Sequence, residues 1–217
     1  IDVLADPQAG IDAAIAAIEA GECIVLPTDT VYGIGADALS AAAVQALLDA
    51  KQRGRDLPPP VLIAEPAMLR SLAATVSDDA LALADAFWPG ALTLVVASQP
   101  TLRMDLGDRG DTIAVRIPDH AFTRELLRAT GPLAVSSANT HGNPAATSAS
   151  EALAQLGDTV SVYLDAGQGS GIVPSTIVDV SGERPRVLRE GRISRADLET
   201  VVGPLGDDPE SRQPADA

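Results

Sequence analysis

The chain has 217 residues and a mass of 22.2 kDa, and its 46% hydrophobic content suffices for one sizeable domain whose core must be mostly Ala, Val, Leu and Ile, given 2% aromatics. A formal charge of −15 and a pI near 4.3 exclude wide electrostatic capture of nucleic acid. With Cys 1 and His 2 there is no disulfide framework, thiolate metal site or histidine cluster, and no apolar run approaches the roughly 20 residues of a membrane span, so a cytoplasmic protein is expected.

In chain order, Ile11–Glu19 is an amphipathic helical stretch stopped at Gly21, and Cys23–Leu26 reads as a buried strand. A polar Thr28-Asp29-Thr30 loop and a Tyr32-Gly33-Ile34-Gly35 turn follow. Ser40 caps a helix that ends in cations, because a serine oxygen satisfies an orphan N–H of the first turn. The prolines after Arg55 exclude helix, and Val61–Ala64 is a second buried strand. Glu65–Ala74 is predicted helical, and Ser77 caps a helix that runs to Phe87. Leu92–Ala97 and Thr112–Ile117 are strands flanking a loop rich in Arg, Asp and Gly. Then come a helix over His120–Ala129, a strand over Pro132–Val135, a Ser136–Asn139 loop, a helix over Ser148–Leu156 and a strand over Val160–Asp165. A glycine-rich loop leads to Pro174-Ser175-Thr176, strands over Ile177–Val180 and Arg186–Glu190, and a helix over Ser194–Val202.

This interleaving, without repeat or linker, predicts one α/β domain over residues 1–203. Its sheet is mixed, since some strands follow one another without a crossover helix. Residues 204–217, acidic and proline-rich, are expected to form a disordered tail.

Several residues carry chemistry beyond packing. Val44, Leu47, Leu48 and Lys51 fall at helical spacing, so Lys51, the only lysine in the chain, shares the inward face. An inward lysine must snorkel out or meet an anion, unless it serves the helix dipole at a C-terminus. Alternation along Thr112–Ile117 sets Arg116 opposite Ile113, Val115 and Ile117, on a face that a covered sheet also encloses. A guanidinium there needs a phosphate or carboxylate, either a ligand's or an internal Asp or Glu. Thr28, Asp29, Thr30 and Tyr32 follow a strand end, where open α/β sheets hold ligands, although Asx and Ser/Thr turns use the same residues. Ser136-Ser137-Ala138-Asn139 and Pro174-Ser175-Thr176 are small-hydroxyl loops whose backbone N–H groups can approach a phosphate, and Arg189 ends a strand nearby in sequence. Gly33-Ile34-Gly35-Ala36-Asp37-Ala38 matches the dinucleotide fingerprint only formally: a polar loop separates it from its strand, and Asp37 would face the pyrophosphate. No Walker A sequence is present.

Taken together, PTDTVYGIGADA, AKQRGRD, FWPGALTLVV, TIAVRIP, SSANTHGNP, PSTIVDV and VLREG, spread in order from Val25 to Gly191, resemble the YrdC/YciO family of threonylcarbamoyl-AMP synthases in its short, single-domain form. The resemblance implies a twisted mixed parallel/antiparallel sheet with flanking helices and a deep concave cavity. It also implies synthesis of threonylcarbamoyl-AMP and pyrophosphate from ATP, L-threonine and bicarbonate. Downstream threonylcarbamoyl-transfer proteins then modify N6 of an adenosine in tRNA, so the chain itself is not expected to bind tRNA tightly. By the same likeness, Thr28, Thr30, Tyr32, Arg116, Ser136 and Ser175 would bind threonine. Lys51, Arg53, Thr112, Ser137, Asn139, Asn143 and Arg189 would contact ATP, with Lys51 and Arg53 catalytic through neutralisation of the leaving pyrophosphate. Mg²⁺ would come with ATP, held by phosphates and water rather than by a protein metal site. Replacing Lys51 is expected to stop pyrophosphate release and leave the fold intact.

Two departures stand out. Leu57-Pro58-Pro59 replaces the family's Lys-Pro-Leu, with Arg55 expected to compensate for the missing cation, and Glu190 takes the place of a proline beside Arg189. Longer members carry a further C-terminal domain, which a chain of this length is expected to lack. Two other readings remain: a carbamoyl-adenylate-type enzyme of hydrogenase maturation, and an RNA-binding or ribosome-maturation factor.

Overall fold

The computed structural model describes residues 1–102, 104–108, 111–169 and 173–206. In chain order its elements are α1 (Pro7–Glu19), β1 (Ile24–Leu26), β2 (Gly33–Asp37), α2 (Ala41–Ala50), β3 (Val61–Leu62), α3 (Leu69–Leu72), α4 (Asp78–Phe87), β4 (Leu92–Ala97), β5 (Thr112–Arg116), α5 (Ala121–Thr130), β6 (Leu133–Ser137), α6 (Ala149–Leu156), β7 (Val162–Tyr163), β8 (Thr176–Asp179), β9 (Arg186–Arg189) and α7 (Arg195–Val202). Serine oxygens cap α2, α4, α6 and α7 as their sequences foretell, each accepting a first-turn N–H.

Among the described residues the strands form one sheet in the order β7-β1-β2-β6-β3-β5-β4-β8-β9. It is mixed: β1–β7, β3–β5 and β4–β8 pair parallel, the other neighbours antiparallel. One face is covered along its length. Val44, Leu47 and Leu48 of α2, Leu83 of α4, Ala152 of α6 and Leu198 of α7 pack with Ile34, Val61, Val115, Leu94 and Val178 into the larger core. The other face is covered at one end only, where Ala14, Ala17 and Ile18 of α1 and Leu126 and Leu127 of α5 close over Ile24, Leu26, Leu133 and Val135. Beyond that cap, β5, β4, β8 and β9 are left open to a cleft.

Several elements differ from the sequence expectation. Gly33–Asp37 is a strand rather than a turn, and neither glycine has a positive φ. The glycines serve close approach: a Cβ on Gly33 would lie 2.6 Å from Val135 Cγ1, and one on Gly35 would lie 2.8 Å from Leu26 Cδ2. Ser136 and Ser137 end β6 instead of opening a loop. The Asp6 carboxylate caps α1 at Ala9 N, 3.0 Å away, so α1 begins before Ile11. The helix predicted over residues 65–74 is a 3₁₀ turn (Pro66–Met68) running into four-residue α3. Of the proposed disordered tail, residues 204–206 are ordered: Leu205 is buried, and its carbonyl accepts from Arg195. The remainder of that tail, 207–217, lies outside the described residues. No described helix is long and apolar enough to cross a membrane.

Candidate active site

The open face forms the floor of a cleft of about 550 Å³. Strand register lines up its floor. Leu62 of β3 is opposite Arg116 of β5, Thr93 of β4 opposite Ile177 of β8, and Ile177 opposite Arg189 of β9. Period-two alternation thus sends Thr112, Ala114 and Arg116 to the cleft side, as the sequence of β5 foretells.

The Lys51–Arg53 pair is divided by the end of α2. Gln52 takes a left-handed φ of 54°, Arg53 N–H reaches back to Leu48 O (3.0 Å), and Gln52 N–H reaches Asp49 O (2.9 Å). This Schellman closure ordinarily uses glycine, and it reverses the chain between the two cations. Lys51 stays on the core side of α2 with 2% exposure. Its ammonium donates to Ser137 O (2.5 Å), Asn139 O (2.6 Å) and Asn139 Oδ1 (3.4 Å). It stands behind the cleft wall and is not one of the lining residues. Arg53 does line the cleft and donates from Nη1 to Ser136 Oγ at 3.1 Å, while its Nε is buried without a partner.

Arg116 rises from the middle of the floor. Its Nε donates to Gly90 O (2.9 Å), Nη1 to Thr30 Oγ1 (3.0 Å) and Nη2 to Asp29 Oδ1 (2.6 Å). The internal carboxylate partner weighed from sequence is therefore present, and it lies 87 positions away in the chain. The Thr28 hydroxyl stabilises its own turn, donating to Val31 O (2.6 Å) and accepting Thr30 N (3.1 Å). Tyr32 is buried, with its hydroxyl donating to Gly167 O (2.6 Å) and accepting Ala166 N (3.0 Å), so only its ring is left for the cleft.

On the opposite wall Asn139 donates to Thr140 O and Asn143 O, both 2.9 Å away, and Asn143 Nδ2 donates to Thr140 Oγ1. With Lys51 these bonds fix the 137–143 segment as one unit. Ser175 shares a hydroxyl bond with Thr93 (2.9 Å), and its carbonyl accepts Arg189 Nη2 (2.8 Å). A Cβ on Gly191 would come within 2.6 Å of the Ser175 carbonyl, which is why a glycine follows Arg189-Glu190. Of the sequence-predicted site residues, all but Lys51 line the cleft.

Of the two departures from the family pattern, one reaches the cleft: Leu57 lines it as an apolar side chain. Arg55 pairs with Asp105, Asp108 and Gln45 and does not line the cleft, so it does not replace the missing lysine. Glu190 is exposed and also does not line it.

The electrostatics favour an anion. Burial lowers the Arg116 pKa, Asp29 resists that shift, and Arg189 and Arg192 add to it. Arg189 is lowered by burial and then by Arg53, while Arg53 is lowered by burial against the pull of Asp56. Lys51 is pushed down to about 8 by burial and by Arg53. Cations that depress one another are relieved when negative charge enters between them. Sequence reasoning missed the apolar part of the cleft: Leu57, Pro58, Leu106, Ile177 and Leu188. The alternation of Leu92–Ala97, which turns Thr93 and Val95 away from Leu92, Leu94 and Val96, was the available signal.

The Sua5/YciO/YrdC family model, described as telomere recombination, matches residues 16–191. A putative threonylcarbamoyl-AMP synthase of Mycobacterium tuberculosis is 51% identical over 202 residues, 92% of this chain and 93% of that protein. The threonylcarbamoyl-AMP synthase of Bacillus subtilis is 36% identical over 92% of this chain and 58% of its own length. The crystal structure of Pyrococcus abyssi Sua5 complexed with L-threonine superposes with a TM-score of 0.87 at 35% identity, covering 92% of this chain and 59% of that one.

Proposed function

The chain belongs to the Sua5/YciO/YrdC family, and from that premise we propose that it is an L-threonylcarbamoyl-AMP synthase acting in the cytoplasm. The observation that carries the reading is one cleft with guanidiniums at two stations, Arg116 from β5 and, from elements on either side, Arg53 after α2 with Arg189 on β9. Two stations suit two anionic substrates, an amino-acid carboxylate and a polyphosphate. Arg116 takes the threonine carboxylate, with Thr28, Thr30, Tyr32, Ser136 and Ser175 around the amino acid. Arg53, Arg189, Thr112, Ser137, Asn139 and Asn143 face ATP. Lys51 contributes from behind, as a positive charge beneath the Ser137–Asn139 carbonyls.

The chemistry asks for positioning and charge neutralisation rather than a side-chain nucleophile. The threonine amine and bicarbonate give a carbamate and water. A carbamate oxygen attacks the α-phosphorus, the bond to the bridging oxygen breaks, and pyrophosphate leaves with its charge met by Arg53 and Arg189. Asp56 is the only carboxylate lining the cleft among the described residues. That donor set fits Mg²⁺ held through phosphate oxygens and water, where it neutralises phosphate charge. The product is consumed by proteins that transfer the threonylcarbamoyl group to tRNA, and tight tRNA binding by this acidic chain is not expected.

The relatives at 51% and 36% identity both carry the threonine-specific name, which favours this reading over the hydrogenase-maturation one. The test is pyrophosphate release from ATP, with threonine and bicarbonate omitted in turn. Release that requires both supports the synthase; release without threonine rejects it.

A further inference from the structure

We infer that Asp29 is the positioning residue of the carboxylate station, holding Arg116 from outside the cleft; the inference rests on the synthase reading. Arg116 lines the cleft, whereas Asp29 does not: it lines a second cavity, which shares Thr28 and Tyr32 with the cleft, together with Asp119, His120 and Arg192. Asp29 Oδ1 accepts Arg116 Nη2 at 2.6 Å and Asp119 N at 3.0 Å, so a donor from the segment after β5 fixes the carboxylate itself. The Asp29 carbonyl accepts Arg192 Nη1 at 2.9 Å, which ties the backbone of the loop as well. Both partners are enclosed, with side-chain exposures of 8% for Arg116 and 12% for Asp29.

A guanidinium carries five N–H donors. Three of those on Arg116 are committed, to Gly90, Thr30 and Asp29, which leaves one on each terminal nitrogen. Because Asp29 lines the second cavity and not the cleft, an incoming carboxylate takes those remaining donors and does not have to displace it. The carboxylate also keeps a nine-tenths-enclosed cation compensated before substrate arrives. Asp29 touches no substrate; it acts through Arg116.

The experiment compares Asp29→Asn and Asp29→Glu with wild type in the full chain. It measures threonine binding by calorimetry and the KM values for threonine and ATP in pyrophosphate release, with thermal unfolding as the folding control. Asp29→Asn is expected to weaken threonine binding and raise its KM about tenfold, the scale of one charge-assisted hydrogen bond, while the KM for ATP changes less than about twofold. Asp29→Glu is expected to recover part of the loss. Tighter threonine binding in Asp29→Asn would mean that the carboxylate competes with substrate, and would overturn the inference. So would unchanged threonine binding, or an equal rise in both KM values. A wild-type chain that binds no threonine overturns the synthase reading itself, and the inference with it.

Discussion

The Lys51 ammonium lies 2.5 Å from the main-chain carbonyl of Ser137, 86 positions further along the chain. A charged group from the end of α2 therefore organises the end of β6 and the segment after it. Its three acceptors are two carbonyls and an amide oxygen, so the charge is solvated by dipoles and not cancelled by a carboxylate. Lys51→Met should leave the Ser137 and Asn139 carbonyls short of a donor and cost about 2 kcal/mol of stability, so the mutation is not silent for the fold.

The same residue predicts two opposite responses to alkali. Burial and Arg53 lower its pKa to about 8, against an ordinary 10.5. From about pH 8 upward the unfolded chain binds the extra proton, so the Lys51 contribution to stability rises with pH. Cys23, pushed up to about 11 by burial and Glu22, acts in the opposite sense above pH 9. The Lys51 effect is therefore read as the difference in urea unfolding between wild type and Lys51→Met from pH 7 to 9. Over that range ATP affinity in the absence of threonine should fall as the ammonium is lost. A flat calorimetric profile, with the urea difference rising as expected, would remove Lys51 from the nucleotide site.

Arg189→Gln keeps a hydrogen-bonding group for the Ser175 carbonyl and removes a cation whose pKa Arg53 already lowers. ATP should bind roughly tenfold more weakly, with a shallower dependence on salt. Calorimetry at two salt concentrations checks both, and unchanged affinity would remove Arg189 from the phosphate station.

Gly33→Ala tests why β2 carries glycine. The new Cβ would meet Val135 Cγ1 at 2.6 Å, and valine, stiff at χ1, cannot swing aside. A loss of about 1–3 kcal/mol in urea unfolding is expected, most of it recovered in the Gly33→Ala/Val135→Ala double mutant. Failure of the second change to rescue would mean that backbone conformation, not crowding, sets the cost.

What the sequence made legible was local. Serine caps, the apolar stripe of α2 and the alternation of β5 are written within a few residues of where they act, and they fixed the inward lysine and the cleft-facing arginine. Gly33-Ile34-Gly35 misled because a glycine required for close approach and one required for a turn look alike until the strand opposite, 102 positions away at Val135, is known. The partner of Arg116 and the acceptors of Lys51 were hidden for the same reason: each depends on sheet order. The separation of Lys51 from Arg53 turned on a left-handed Gln52, a conformation that glutamine does not advertise.

The incomplete covering of the sheet leaves a cleft assembled from short stretches far apart in the chain. Its lining residues come from 28–33, 53–62, 93–95, 106, 112–116, 135–145 and 174–189. A fragment ending before Ser175 would lose Ser175 and Arg189 together and leave β4 as a bare edge. A complete cleft is thus a property of the whole sheet, β9 included. A ligand that binds only this assembled cleft stabilises the native state as a whole.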